Sequence, residues 1–196
     1  MNQILYILIV IVILVAIIVI IKKTGSRKFV FVRNLNWQDV FEIWKNNEIN
    51  EPHWQEYYTE KGFNSWIEWR NKYLEPIKAL NKKWKLVKVV DPLKSVPKFH
   101  GGPYNGWWKN YYQGENLPEF GKMAEHPRSE DYLKNLPSKT TIIAWNTEIG
   151  IVIIEGMHRC AGITKASKEN KNIKLDLYMV VADCPLNQIP DFRDKN

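Results

Sequence analysis

The sequence predicts an α+β protein with one N-terminal transmembrane helix, followed by a short helical segment and a small domain of strands and helices. Three observations support this fold class. Residues 4–21 carry no charged side chain, apolar residues recur with helical spacing between residues 37 and 74, and alternating apolar and polar residues mark a strand at 173–181. With 196 residues, the chain suffices for one modest globular domain.

The first predicted element is the uncharged run Ile4–Ile21. As an α-helix it would extend over about 27 Å, close to the roughly 30 Å hydrocarbon core of a bilayer. No small-residue cleavage site follows the run, which favours an uncleaved anchor over a signal peptide. The run is followed by Lys22, Lys23, Arg27 and Lys28. Because basic flanks stay in the cytoplasm, we expect residues 1–23 to form a single-pass membrane anchor with a cytoplasmic soluble domain.

Residues 24–83 are predicted to form a basic juxtamembrane stretch and aromatic-rich helices. Asn36 is a suitable N-cap for the first helix. A second helix is expected over Glu51–Glu60, and a third begins at Asn64 or Ser65 and ends before Pro76. Aromatic residues along these helices are more typical of packing than of a cofactor site.

Residues 84–182 are predicted to form the α+β domain, and residues 183–196 a polar tail. The expected elements are a strand at 85–90, a loop at 97–121, a short helix from Ser129, strands at 139–145 and 149–154, a helix at 157–168 and a strand at 173–181. The run 149–154 is continuously apolar, as in a strand buried on both faces.

The amino-acid composition excludes some classes of protein and indicates the charge of a binding partner. Two cysteines cannot build a disulfide scaffold, and no Cys-x-x-Cys or His-x-x-x-His spacing indicates a structural zinc site. The net charge of +7 suits an anionic partner, such as a nucleotide, a nucleic acid or a lipid headgroup, without choosing between them.

The most informative motif follows the buried strand, where the chain reads Glu155-Gly156-Met157-His158-Arg159. A helix that begins here directs unpaired backbone N–H groups and a positive dipole outward. Gly156 allows a ligand to approach the backbone, because glycine has no Cβ. Arg159 and His158 add hydrogen-bond donors. The motif therefore predicts a phosphate or other anion site.

The strand, this motif and the following helix resemble the ParB/sulfiredoxin-like superfamily, over roughly residues 84–182. The resemblance implies the small mixed sheet of that superfamily and phosphate contacts at Gly156, Met157, His158 and Arg159. It also implies ATP or CTP with Mg²⁺ as the ligand. Met157 replaces the reactive cysteine of sulfiredoxins, and no helix-turn-helix domain follows as in partition proteins, so neither of those activities is expected.

Candidate roles follow from these residues. Glu155 is either a general base, a ligand of Mg²⁺ beside the phosphates, or a carboxylate that only orients Arg159 or caps the helix. His158 and Arg159 would stabilise charge on a phosphate. In the loop 97–121, His100 and Trp107 are candidate walls of the nucleotide site, and the alternative is a loop anchored to the core by its aromatic residues.

The predicted function is nucleotide binding by a membrane-anchored domain, with phosphoryl transfer or phosphate-ester hydrolysis if the protein is an enzyme. One alternative is a non-catalytic module that binds nucleic acid at the same turn. Another is an adaptor that binds a protein through the tryptophan-rich segment 37–69, which requires those side chains to be exposed.

Overall fold

The computed structural model describes residues 28–193. In this part of the chain a five-stranded mixed sheet and eight α-helices form an α+β fold. The strands are β1 (Phe29–Leu35), β2 (Trp84–Val89), β3 (Lys139–Thr147), β4 (Gly150–Glu155) and β5 (Asp176–Asp183). The α-helices are α1 (Trp37–Glu48), α2 (Pro52–Glu60), α3 (Trp66–Tyr73), α4 (Glu75–Ala79), α5 (Pro92–Ser95), α6 (Asn105–Tyr111), α7 (Ser129–Lys134) and α8 (Met157–Lys168).

The strand order is β1-β2-β5-β3-β4. β3 and β5 run parallel, and the other neighbouring strands are antiparallel. β3 and β4 form a hairpin, and α8 then carries the chain from β4 to β5 on the far side of β3. This connection puts the predicted turn between β4 and α8 at an outer strand of the sheet.

Helices pack on both faces of the sheet. On one face, Trp37 of α1 contacts Trp84, whose ring lies 4.6 Å from that of Trp145. On the other face, Arg159 of α8 donates a hydrogen bond to Thr140 Oγ1 over 2.8 Å. The apolar side chains of β3 and β5 between these layers are almost fully buried, so one core joins the helical segment to the sheet.

The tryptophans of the helical segment lie in this core. Trp44 and Trp66 are each 2% exposed, and both indole N–H groups donate to the carboxylate of Glu48. Glu48 also forms a buried ion pair of 2.6 Å with Arg70. The adaptor hypothesis required exposed tryptophans in segment 37–69, and the burial of these side chains removes its support.

The predicted fold class and localisation require a correction. In the part of the chain that the structure describes, every helix is too short or too polar to cross a membrane. The longest of these helices have 12 residues and extend over about 18 Å, against the roughly 30 Å that a bilayer core requires. This contradicts the predicted transmembrane helix and the single-pass membrane localisation. The run Ile4–Ile21, on which both predictions depended, lies outside the described residues.

β1 is a further difference from the sequence prediction, which assigned no strand before residue 84. Its register pairs Phe29 with Val89 and Leu35 with Trp84. As an edge strand with mostly exposed side chains, it lacks the alternation that identifies a half-buried strand. The loop predicted at 97–121 also contains α6, which carries Trp107.

Candidate ligand-binding site

The turn between β4 and α8 depends on Gly156. Its backbone is left-handed, with a φ of 97°, and it occupies the N-cap position of α8. A Cβ at this position would lie 2.5 Å from Cγ2 of Ile142. No side chain caps α8, so the N–H groups of its first turn are not satisfied by a capping residue.

Glu155 and Arg159 form an ion pair directly behind this turn. The guanidinium of Arg159 also donates to the backbone oxygen of Thr141 over 2.9 Å, in addition to Thr140. The second carboxylate oxygen of Glu155 accepts a hydrogen bond of 2.8 Å from Asn47 of α1. Burial raises the pKa of Glu155, against the lowering effect of Arg159. Glu155 and Arg159, two of the three predicted catalytic side chains, are therefore engaged in holding α1, β3 and α8 together.

Met157 is also committed through its side chain. Its Sδ accepts a hydrogen bond from the backbone N–H of Gly102 over 3.3 Å, and the residue is 6% exposed. Only its backbone remains for contact with a ligand.

His158 points instead into a group of rings at the surface. Its imidazole stacks on Tyr132 with the ring centres 4.5 Å apart, and it lies 5.4 Å from both Trp107 and His126. Tyr111 completes the group, 4.7 Å from His126 and 5.1 Å from Trp107. All five side chains are half-buried. We call them the aromatic–imidazole cluster.

Three helices bring the cluster together. α6 contributes Trp107 and Tyr111, which share one helix face at a spacing of four residues. α7 contributes Tyr132, and it packs closely on α8 because Gly162 has no side chain. A Cβ on Gly162 would lie 3.0 Å from the backbone nitrogen of Leu133. The close packing of α7 on α8 thus sets the contact between Tyr132 and His158.

The two imidazoles of the cluster favour the neutral form. Burial lowers the pKa of His158 to about 4, with a smaller contribution from His126. Burial, and then the charge of Arg128, lower the pKa of His126. Nδ1 of His126 accepts a hydrogen bond from the backbone N–H of Arg128 over 3.1 Å, so Nε2 of the neutral ring carries the proton. At neutral pH, each ring can donate one hydrogen bond without bringing a charge.

A small cleft of about 20 Å³ opens beside the cluster. Trp107, His126 and Thr164 are among its lining residues. Thr164 is 4% exposed, and its hydroxyl has no hydrogen-bond partner within the described residues. Such a volume is close to what one water molecule needs.

The predicted site residues are therefore only partly brought together. Trp107 lies beside His158, as expected of a wall of the site. His100 does not: its Nδ1 bonds to the oxygen of Leu117 over 2.6 Å, and its ring lies beside Gly150, at the end of β4 opposite to Gly156. Tyr111 belongs to the aromatic loop 97–121, which was predicted as a candidate wall of the site. His126 and Tyr132 were not predicted as site residues. His126 lies in the polar stretch Glu125-His126-Pro127-Arg128, which had no predicted position, and Tyr132 lies in α7, where no local pattern marks it.

No metal site accompanies this geometry in residues 28–193, where no group of three or more His, Cys, Asp or Glu side chains could hold an ion. Comparison of the sequence with protein-family models and with curated proteins, and of the structure with solved structures, gave no match.

Proposed function

We propose that the protein binds a nucleotide at the corner between β4 and α8. The base would lie against the aromatic–imidazole cluster, and the phosphates would lie at the first turn of α8. The observation that carries this proposal is the position of His158, which is both the second residue of α8 and a member of the cluster. A ligand that touches the cluster is therefore within one turn of the N–H groups that lack helical partners.

The chemistry of the two surfaces matches the two parts of a nucleotide. The N-terminus of a helix attracts phosphate through its N–H groups and its dipole. Half-buried Trp and Tyr rings stack on bases of any sequence. The neutral ring of His158 can donate a hydrogen bond to a phosphate or sugar oxygen between them. The resemblance to the ParB/sulfiredoxin-like superfamily implies phosphate binding at the same turn.

The proposal is limited to binding. Of the residues predicted to be catalytic, Glu155 and Arg159 bond to each other and to neighbouring elements. An arginine that is neutralised by a buried carboxylate contributes little to the attraction of a phosphate. We therefore assign these two side chains to positioning the turn, and the backbone of residues 156–159 to the phosphate.

Calorimetric titration of the full chain with ATP and with CTP, each with Mg²⁺, tests the proposal. Trp107→Ala should weaken binding by about tenfold or more, because stacking of a base on an aromatic ring is worth about 1–3 kcal/mol. Trp108→Ala is the matched control, since Trp108 is the next residue, is 41% exposed and lies outside the cluster. The absence of binding, or equal losses in the two variants, would refute nucleotide binding at this site.

Non-catalytic binding of nucleic acid is the alternative use of the same surface. The specific observation in its favour is Arg128, which is exposed and has its guanidinium 5.3 Å from the ring centre of Tyr132. A short single-stranded oligonucleotide should then bind with an affinity that falls steeply as salt rises. Oligonucleotide binding that depends on Trp107, together with no binding of mononucleotides, would replace the first proposal with this one.

A further inference from the structure

The sheet face that carries α8 is only partly covered by that helix. Arg159 of α8 donates to Thr140, and Gly156, the N-cap of α8, lies against Ile142. Thr140 and Ile142 both lie in the first half of β3. Asn146, near the end of β3, lies about 20 Å from Thr140 and about 13 Å from Ile142 along the strand. At that end of the same face a groove with a volume of about 170 Å³ is open.

The floor of the groove is apolar. It includes Val87 of β2, Met179 and Val181 of β5, and Ile151 of β4. Val87 pairs with Met179, so their side chains lie next to each other on this face. Met179 and Val87 are 0% and 8% exposed, which makes the floor a fixed part of the core rather than a mobile surface.

Two opposite charges flank this floor. Lys85 lies in β2 opposite Val181, and Asp183 lies two residues further along β5. Such diagonal neighbours are about 7–8 Å apart. Lys85 is exposed and forms no ion pair with any residue in 28–193. Asp183 accepts a hydrogen bond of 2.7 Å from Asn146, which also lines the groove.

We propose that this groove binds a small zwitterion with an apolar side chain, of the size of an aliphatic amino acid. Lys85 would hold the carboxylate, Asp183 would hold the ammonium group, and the side chain would cover Val87 and Val181. The pairing of both charge signs with one apolar floor favours a zwitterion over a simple fatty acid or an amine, because either of these leaves one rim charge without a partner. The volume is smaller than the 300 Å³ or more that drug-sized ligands occupy. The site is separate from the aromatic–imidazole cluster and does not depend on nucleotide binding.

Methyl NMR of the full chain can test the proposal with three matched ligands. Leucine is the zwitterion, 4-methylpentanoate lacks its ammonium group, and isoamylamine lacks its carboxylate. Leucine should shift the methyl signals of Val87, Met179, Val181 and Ile151. The other two ligands should bind about tenfold more weakly, as is usual when a hydrogen bond to a charged group is lost.

Two variants and a control locate the charges. Lys85→Gln and Asp183→Asn should each weaken leucine binding by about tenfold. Lys78→Gln, which removes an exposed lysine outside the groove, should leave it unchanged. Methyl signals elsewhere in the core report whether each variant is folded. The proposal is wrong if leucine causes no shift at the groove, if the three ligands bind equally, or if folded Lys85→Gln and Asp183→Asn retain full affinity.

Discussion

His158 shows at the residue scale how its surroundings control its charge. Three rings of the cluster lie next to it, and burial in that setting disfavours the imidazolium form. The nearby charges of Arg128 and Arg159 act in the same direction. A neutral histidine can donate a hydrogen bond but does not attract an anion by charge. The N–H groups at the start of α8 must therefore supply most of the attraction for phosphate.

The lowered pKa of His158 predicts a pH-dependent stability. Unfolded histidine binds a proton near pH 6.5, whereas the folded state resists protonation of His158 until about pH 4. The free energy of unfolding should therefore fall as the pH drops from about 6.5 to 4, by about 2–3 kcal/mol for this residue. Urea unfolding of the wild type and of His158→Gln, from pH 7.5 to 4, measures it.

The comparison between these two proteins isolates His158. The raised pKa of Glu155 acts in the opposite direction, because a folded state that binds protons more readily gains stability as the pH falls. This contribution is common to both proteins and cancels in their difference. The same pH dependence in both would contradict a buried neutral His158.

The ion pair of Arg159 and Glu155 leads to a second prediction at this scale. Arg159→Met should lower the free energy of unfolding by about 3–5 kcal/mol, because it leaves the carboxylate of Glu155 buried without its partner. Glu155→Gln combined with Arg159→Met should cost clearly less than the sum of the single changes. A double-mutant cycle by urea unfolding gives the coupling, expected at about 1–3 kcal/mol. Additive effects would show that the pair does not hold the corner.

At the element scale, the corner between β4 and α8 is defined by backbone conformation and close packing. β4 ends at Glu155, Gly156 reverses the direction of the chain, and α8 begins at Met157. Two features require glycine at position 156: its φ is positive, and there is no space for a Cβ beside Ile142. This explains a glycine here through the fold, before any ligand is considered.

Gly156→Ala should therefore lower the free energy of unfolding by about 2–4 kcal/mol, from the left-handed backbone and the contact with Ile142. Gly106→Ala is the matched control. Gly106 lies in α6 without a positive φ, and a Cβ there would meet no atom within 4 Å. Alanine at this position should be neutral or stabilising by up to about 1 kcal/mol. Equal effects in the two variants, measured by urea unfolding, would contradict the conformation of the turn.

At the scale of the whole molecule, the helical segment and the sheet share one core. β1 pairs with β2, Trp37 contacts Trp84, and Asn47 bonds to Glu155 behind the candidate site. The segment that precedes residue 84 is thus part of the support of the corner. We expect residues 28–193 to unfold in one cooperative transition.

A chain that begins at residue 84 should consequently fail to fold. Without β1, one edge of β2 has no partner strand. Without α1, the side chains of Trp84 and Trp145 become exposed to solvent, whereas they are only 2% and 1% exposed in the intact structure. Near-ultraviolet circular dichroism and urea unfolding of this fragment should show no fixed tertiary structure and no cooperative transition. A cooperatively folded fragment would establish the sheet as independent of the helical segment.

Local signals in the sequence predicted several elements well. Asn36 caps α1 as expected, with a reciprocal hydrogen bond between its backbone and Asp39. The helix expected at 157–168 is α8, and the turn at Gly156 lies where the motif placed it. These features depend on hydrogen bonds and φ angles within a few residues, which is the range over which sequence patterns carry information.

Such local patterns could not predict contacts between residues that are far apart in the sequence. His126 and His158 are neighbours only because α7 packs on α8, and Asn47 reaches Glu155 across 108 residues of sequence. The sequence left open whether Glu155 acts as a base or only orients Arg159. The fold provides the guanidinium of Arg159 with internal acceptors in Glu155, Thr140 and Thr141.

The sequence by itself determined where the turn and its helix begin, because glycine conformation and helix capping are local properties. Only the tertiary structure decided which side chains share the site. The helices and strands could assemble in many ways, and the burial of one common core selects the arrangement in which Glu155 neutralises Arg159 and His158 joins the rings.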